Sequence, residues 1–330
     1  MTNQEIAQKI VDRMLDTISK EGKMPWTKPW NTPGRTAHVF DGYTEISIPV
    51  RFWSRSGKPN HGNNTWLLSM SGHTGEFITF NQCKAEGGRI RKGAKGSTVI
   101  YWTMIRKETE ELDENGDKKI KVIPLLKYYT VFSLDDCEGI KPKHSPAPEV
   151  IRIPKYRTEA VEGIDESEYD ATAEAIIARY VTEEHLASLD CNGEGDRAYY
   201  SPALDSVTVP CIRQFNAKAE YYGTLFHELG HSTGHETRLN RFTGDNKIAA
   251  FGDEAYSREE LVAEITAASI LQALGMESDD TFRNSTAYVQ GWSRKIKDDP
   301  MTFVTAASRA EKAIGMILGT DAAEAEPDAE

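Results

Sequence analysis

Residues 221–235 read "YYGTLFHELGHSTGH", an amphipathic run in which three histidines stand at four-residue intervals. On a helical wheel Tyr222, Leu225, Phe226 and Leu229 fall on one side at i, i+3, i+4, i+7, the stripe of a helix that packs on a core. His227 and His231 fall on the opposite face, one turn apart. Two imidazoles so spaced can both reach one Zn²⁺ at ~2.0–2.1 Å. Glu228, beside the first of them, is then the catalytic candidate, placed to take a proton from water polarised at the metal. The plain alternative is the polar face of an exposed helix; the core stripe on the other side of the same helix favours the metal.

H-E-x-x-H is the arrangement of zinc peptidases, whose catalytic sites use three protein ligands and leave a further position open. His235 could be the third only if the helix did not end at Gly234, and three ligands stacked one turn apart fit a tetrahedral site poorly. Better candidates lie in "SREELVAEITAASILQALG", residues 257–275, where Glu260 and Glu264 are one turn apart. Here the sequence resembles the gluzincin pattern. In it a downstream helix supplies a glutamate ligand and, four residues later, an acid that orients a ligand histidine. That template makes Glu260 the metal ligand and Glu264 its support. Ser257 and Glu260 also fit an S-x-x-E capping box, which would tie Glu260 to the backbone and hand the metal to Glu264. Both therefore stand as metal-ligand candidates. A His/His/Glu set suits Zn²⁺ and also accepts Mn²⁺ or Co²⁺.

Outward from this helix, the chain of 330 residues is long for one domain, which predicts two. Its composition, 39% hydrophobic and 27% charged, is that of a soluble globular protein, and no apolar run reaches the roughly eighteen residues of a membrane span. The first residues form an amphipathic helix with Ile6, Ile10, Met14 and Ile18 on one face; acids interrupt every stretch that could serve a signal peptide. A cytoplasmic protein with no membrane partner is the expectation. Cys83, Cys137, Cys191 and Cys211 make no CxxC pair, which argues against a zinc ribbon, a redox pair or a disulfide scaffold.

Charge divides the chain. Residues 1–134 hold 20 Lys+Arg against 14 Asp+Glu, a balance of +6, leaving 19 against 37, or −18, for the rest. Five of the six tryptophans also fall in the basic half. From Phe77 to Lys107 there are seven basic residues, including Lys84, Arg89, Arg91, Lys92 and Lys95, against the single acid Glu86. Glycines 87, 88, 93 and 96 are expected to let the backbone approach a ligand. Cations track phosphates and exposed aromatics stack on unpaired bases, so this half suits single-stranded DNA, with Trp102, Tyr101, Trp66 and Phe80 as stacking candidates. A solvated hairpin face and core tryptophans are the plain alternative.

The fold class expected is α+β in two domains. The alternating "STVIYWTMI" and "KVIPLLKYYTVF" read as strands joined by a charged loop with Asn115-Gly116 at its tip. Residues 1–138 form the basic DNA-binding domain, and the proline-rich 139–160 a linker. Residues 161–320 form a mostly helical metal-binding domain that includes a short strand pair in "RAYYSPALDSVTVP". Residues 321–330 form a disordered acidic tail.

"GGRIRKGAKGSTVIYW", "YYTVFSLDDCEGI", "AEYYGTLFHELGHSTGHETRLNR" and "YSREELVAEITAA" occur in this order in the ArdC-type antirestriction proteins of plasmids and phages, which the chain resembles from about residue 3 to 315. The resemblance implies an N-terminal domain that binds single-stranded DNA, a zincin-like C-terminal metallopeptidase domain, and protection of incoming DNA from host restriction. It carries DNA binding onto Arg89, Arg91, Lys92 and Lys95, and the metal site onto His227, Glu228, His231 and the acidic pair. The segment "YTEISIPVRFWSRSGKPNHGNNTWLLSMSGHTG" is more polar than its family counterpart. If the site is active, its substrate is a restriction or other DNA-associated protein. The rival expectation is a binding protein that shields DNA and keeps the zincin fold as structure or regulation. A weaker one is a relative of the DNA-binding part of conjugative primases.

Overall fold

The computed structural model describes residues 2–21, 36–40, 43–48, 52–58, 60, 63–112, 118–144, 149–154, 169–193, 195–242, 254–276 and 296–320. Helix α1 (Asn3–Glu21) opens on a reciprocal cap: the Thr2 hydroxyl accepts from the Glu5 N–H at 3.2 Å, and the Glu5 carboxylate accepts from the Thr2 N–H at 2.7 Å. Its apolar stripe, Ile6, Ala7, Ile10, Val11 and Met14, is buried.

Strands β1 (Thr36–Phe40) and β2 (Tyr43–Ile48) pair antiparallel, and β3 (Phe52–Ser54), α2 (Asn63–Ser69), β4 (Gly75–Thr79), α3 (Phe80–Ala85) and β5 (Arg89–Ile90) follow. The predicted hairpin is a long antiparallel ribbon of β6 (Ser97–Leu112) and β7 (Lys118–Ser133), in unbroken register from Ser97↔Val131 to Glu108↔Ile120. Its tip at Asn115-Gly116 lies outside the described residues. β7 also pairs with β4, giving a four-stranded sheet in the order β3-β4-β7-β6. A short strand β8 (Cys137–Glu138) pairs with β5.

The stretch expected as linker is not coil throughout. Glu149–Pro154 form strand β9, antiparallel to β2 from Tyr43↔Pro154 to Ile48↔Glu149. Pro154, one of the prolines that suggested a linker, is the last residue of this strand, at the edge of a small sheet, a position where proline is tolerated.

In the second half, α4 (Ala171–Glu183) is capped by Asp170, whose carboxylate accepts from the Thr172 and Ala173 N–H groups. β10 (Ser188–Gly193), β11 (Tyr199–Ser201) and β12 (Ser206–Pro210) form a sheet ordered β10-β12-β11, with β11 at its edge. β11 and β12 are the expected strand pair, antiparallel from Tyr199↔Thr208 to Ser201↔Ser206. Helices α5 (Lys218–Ser232), α6 (Glu254–Leu274) and α7 (Pro300–Leu318) complete the fold. The acidic tail, 321–330, lies outside the described residues.

One core, built from α4, α5, α6 and the β10-β12-β11 sheet, buries Tyr180, Val207, Val209, Tyr222, Leu225, Phe226 and Leu229. A second joins the two halves: Ile6, Ile10 and Met14 of α1, Leu67 of α2, Ile100 and Leu126 of the ribbon pack with Leu261, Val262 and Ile265 of α6 and with Phe303 and Val304 of α7. Helix α6 therefore lies between α5 and the amino-terminal half. Among the described residues no helix is long and apolar enough to cross a membrane.

Candidate metal centre and nucleic-acid face

Helix α5 buries Tyr222, Leu225, Phe226 and Leu229 in the core, which turns His227 and His231 toward α6. The helices approach closely because position 230 has no side chain; a Cβ there would meet the Ala263 Cα at 3.2 Å. Across this narrow gap the inner ring nitrogens and one carboxylate converge. His227 Nε2 is 3.1 Å from His231 Nε2, and Glu260 lies 3.5 Å from the first and 3.4 Å from the second. Ligand atoms of His227, His231 and Glu260 all fall within 4.8 Å of one another, a cluster able to hold a metal ion.

Glu264 stands elsewhere, 3.5 Å from Nδ1, the outer nitrogen of His227. The capping-box alternative does not hold, since α6 begins at Glu254 and Ser257 lies inside it. His235 is outside the cluster: α5 ends at Ser232, and the His235 Nδ1 lies 2.9 Å from the Thr237 hydroxyl.

The electrostatics of the cluster demand positive charge. Burial alone would lower the His227 pKa, yet Glu260 and Glu264 push it up to about 10. His231 is likewise raised against its burial, by Glu259 and Glu260. The same coupling outweighs burial at Glu260 and holds its carboxyl well below the usual range. Protonated imidazole or a bound divalent cation answers this field equally, and the donor set of two imidazoles and a carboxylate fits the latter. Glu228 is buried beside the cluster; burial raises its pKa, against the lowering pull of His227 and His231 and, more weakly, of the Tyr200 backbone on edge strand β11.

Two groups around this centre were not foreseen from sequence. Glu259 lies 3.7 Å from the His231 Nδ1 and is gripped by Arg241, whose Nε donates to it at 3.1 Å and whose Nη2 makes a second, shorter contact. Arg238 pairs with Asp205, next to β12, and its Nε donates to the Ser232 carbonyl at the end of α5. The run "HETRLNR" carries both arginines, but nothing in its spacing names their partners.

In the basic half, Lys84, Arg89, Arg91, Lys92 and Lys95 are all exposed on α3, β5 and the loop leading into β6. Arg89 donates to Glu138 at 2.6 Å, and the Arg91 Nε lies 3.7 Å from the same carboxylate, so part of this charge is answered within the protein. The glycines have structural reasons. Gly87 and Gly93 take positive φ, 78° and 91°, and a Cβ on Gly88 or Gly96 would collide with the side chain of Ile140 or Thr130. Glu86, the lone acid of the run, is held by Arg55 and Lys143, which bring its pKa down to about 2.

Phe80 is 59% exposed. Tyr101 stacks on Tyr129 with ring centroids 5.0 Å apart and planes 8° from parallel, and the Lys127 ammonium sits 5.8 Å from the Tyr101 centroid. Tyr129, the ring that stacks on Tyr101, was not singled out from the sequence. Trp102 is a strand position paired with Leu126; its side chain, like that of Trp66, lies outside the described residues.

An H-E-x-x-H helix crossed by a glutamate-bearing helix, beside a small sheet whose edge strand reaches the glutamate of the motif, is the arrangement of a zincin-like metal centre. Residues 175–309 match the family model of zincin-like metallopeptidases, and residues 4–132 match that of the N-terminal domain of the anti-restriction factor ArdC. The metal-free crystal structure of the antirestriction protein ArdC from plasmid R388 is 30% identical, covers 95% of this chain and 97% of its own, and superposes with a TM-score of 0.61. The Mn(II)-bound structure of the same plasmid protein gives 28% identity, 96% and 98% coverage, and a TM-score of 0.62. A DNA primase TraC of Escherichia coli is 30% identical over 325 residues, 94% of this chain, which spans only 27% of that relative. The chain belongs to the ArdC antirestriction family.

Proposed function

We propose that this protein acts in the cytoplasm of a cell receiving a mobile element, where it binds single-stranded DNA and hydrolyses peptide bonds in a restriction or other DNA-associated protein. Residues 1–138 hold the DNA and residues 161–320 carry the reaction. The observation that carries the catalytic reading is the convergence of His227, His231 and Glu260 beside the buried Glu228.

His227, His231 and Glu260 would hold the metal, Zn²⁺ first, with Mn²⁺ or Co²⁺ fitting the same donors. When bound, the metal supplies a Lewis acid that polarises a water and the scissile carbonyl. Glu228 is the general base. Burial raises its proton affinity toward working pH, so it can take the proton of the attacking water and return it to the leaving amine. Glu264, at the outer nitrogen of His227, orients that ring.

Arg91, Lys92 and Lys95, with Lys84 and Arg89 beside them, track the phosphates. Tyr101, Tyr129 and Phe80 offer faces on which bases stack without sequence preference. Single-strand affinity then falls as salt rises, and Arg91→Ala with Lys92→Ala flattens that slope by about one phosphate per residue. Binding indifferent to salt or to these changes removes the assignment.

Glu228→Gln tests the rest. Loss of antirestriction with DNA binding intact supports hydrolysis. Unchanged antirestriction makes the protein a shield that covers DNA, with the metal domain structural or regulatory.

A further inference from the structure

Two imidazoles aimed at one point must each be held from behind. For His227 the holder is Glu264, at the outer nitrogen. For His231 the corresponding atom is Nδ1. The carboxylate at that nitrogen, 3.7 Å away, comes from Glu259, one residue before the candidate ligand Glu260. A helix turns about 100° per residue, so neighbours on α6 address different sides of the same imidazole: Glu260 the Nε2 and Glu259 the Nδ1.

Glu259 is not free to choose another partner. Its side chain is 5% exposed and grips Arg241, which is buried to the same degree. Arg241 is fixed in turn: its Nη1 donates to the Thr233 hydroxyl at 2.7 Å and its Nη2 to the Gly230 carbonyl at 2.8 Å, both near the carboxyl end of α5. The guanidinium thus ties the carboxylate on α6 to the helix that carries His231. A planar fork with several fixed donors holds a carboxylate in one orientation, as a lysine could not.

We propose that Glu259 and Arg241 are a positioning pair for the metal centre: Arg241 holds Glu259 in place, and Glu259 accepts the Nδ1 proton of His231, fixing its tautomer and aiming Nε2 at the metal. The inference rests on the metal-site reading given above. An imidazole that offers Nε2 as a lone-pair donor carries its proton on Nδ1, and that N–H needs an acceptor. The contact is longer than a hydrogen bond here; such contacts shorten when a site is loaded. The assignment also gives the second arginine of "HETRLNR" a task.

Glu259→Gln alone would leave a buried unpaired guanidinium and could unfold the chain. The test therefore uses Glu259→Gln with Arg241→Met, which removes both charges at similar volume. Full-length wild type and double variant are titrated with Co²⁺ against a competing chelator, the visible Co²⁺ absorption is recorded, and both are melted after chelation. The expected result is a loss of about 10–100-fold in Co²⁺ affinity with an altered spectrum, at an unchanged melting temperature of the chelated protein. Equal affinity and an identical spectrum make the pair a structural tie and overturn the proposal. Failure of the wild type itself to take up Co²⁺ overturns the metal reading and the proposal together.

Discussion

Glu260 and Glu264 stand one turn apart on α6 and face opposite nitrogens of the same ring, His227 Nε2 and Nδ1. Their substitutions therefore differ in kind. Glu260→Gln removes a charged ligand, whereas Glu264→Gln removes a support and costs about 10–100-fold in metal affinity. Equilibrium dialysis should rank Glu260→Gln as the more damaging; the reverse order exchanges the two roles. His227, Glu228 and His231 were legible because one helix fixes their spacing, whatever the rest of the chain does. Glu260 was legible only with a template, since a second helix must bring it across. Glu259 and Arg241 were not, because 18 residues separate them and their contact exists only once the chain has turned back on itself. The basic run was legible as charge, but its neutralisation by Glu138 was not, since the strand pair Arg89↔Glu138 joins residues far apart in sequence.

The spacing of α5 and α6 is set at two glycines with different surroundings. A Cβ at Gly230 would meet backbone, the Ala263 Cα at 3.2 Å; at Gly223 it would meet the end of a flexible side chain, Leu271 Cδ1, at 3.3 Å. Glycine inside a helix costs ~1 kcal/mol relative to alanine. Gly223→Ala should therefore hold or raise the melting temperature, while Gly230→Ala lowers it and weakens metal uptake by forcing the helices apart. Equal responses at the two sites would show that helix separation does not set the site. Sequence periodicity found α1, α5, α6 and the β6–β7 ribbon because long amphipathic or alternating runs carry their own signal. It missed β10, "SLDCNG", whose Asp, Asn and Gly disfavour a strand and which is held by parallel pairing to β12. It missed β9 because proline punctuation outweighed six residues of pairing.

At the scale of the molecule, the two halves with opposite charge share a core, and α6 presents Glu260 to α5 while its Leu261, Val262 and Ile265 pack with α1 and the ribbon. The boundary read from charge is thus not a boundary in packing. A second tie links segments distant in sequence: Arg55 bridges Glu76 and Glu86, and Lys143, close to β8, reaches both. Arg55 and Lys143 depress the Glu86 pKa from 4.5 to about 2. The folded protein therefore binds fewer protons than the unfolded chain between those values. The stabilisation is complete above about pH 4.5 and is lost as pH falls toward 2. Glu86→Gln should lower stability at neutral pH and flatten the acid limb of the stability profile in that window. An unchanged limb would mean that the pair forms equally in the unfolded chain.

If the helix of residues 218–232 builds a metal site, the metal content of the purified protein beside a His227→Ala, His231→Ala double variant shows it most directly. About one divalent metal per chain is expected in the wild type, lost in the variant. If both proteins are equally metal-free after Zn²⁺ is supplied, the histidines are a polar helix face, and the protein acts on DNA by covering it.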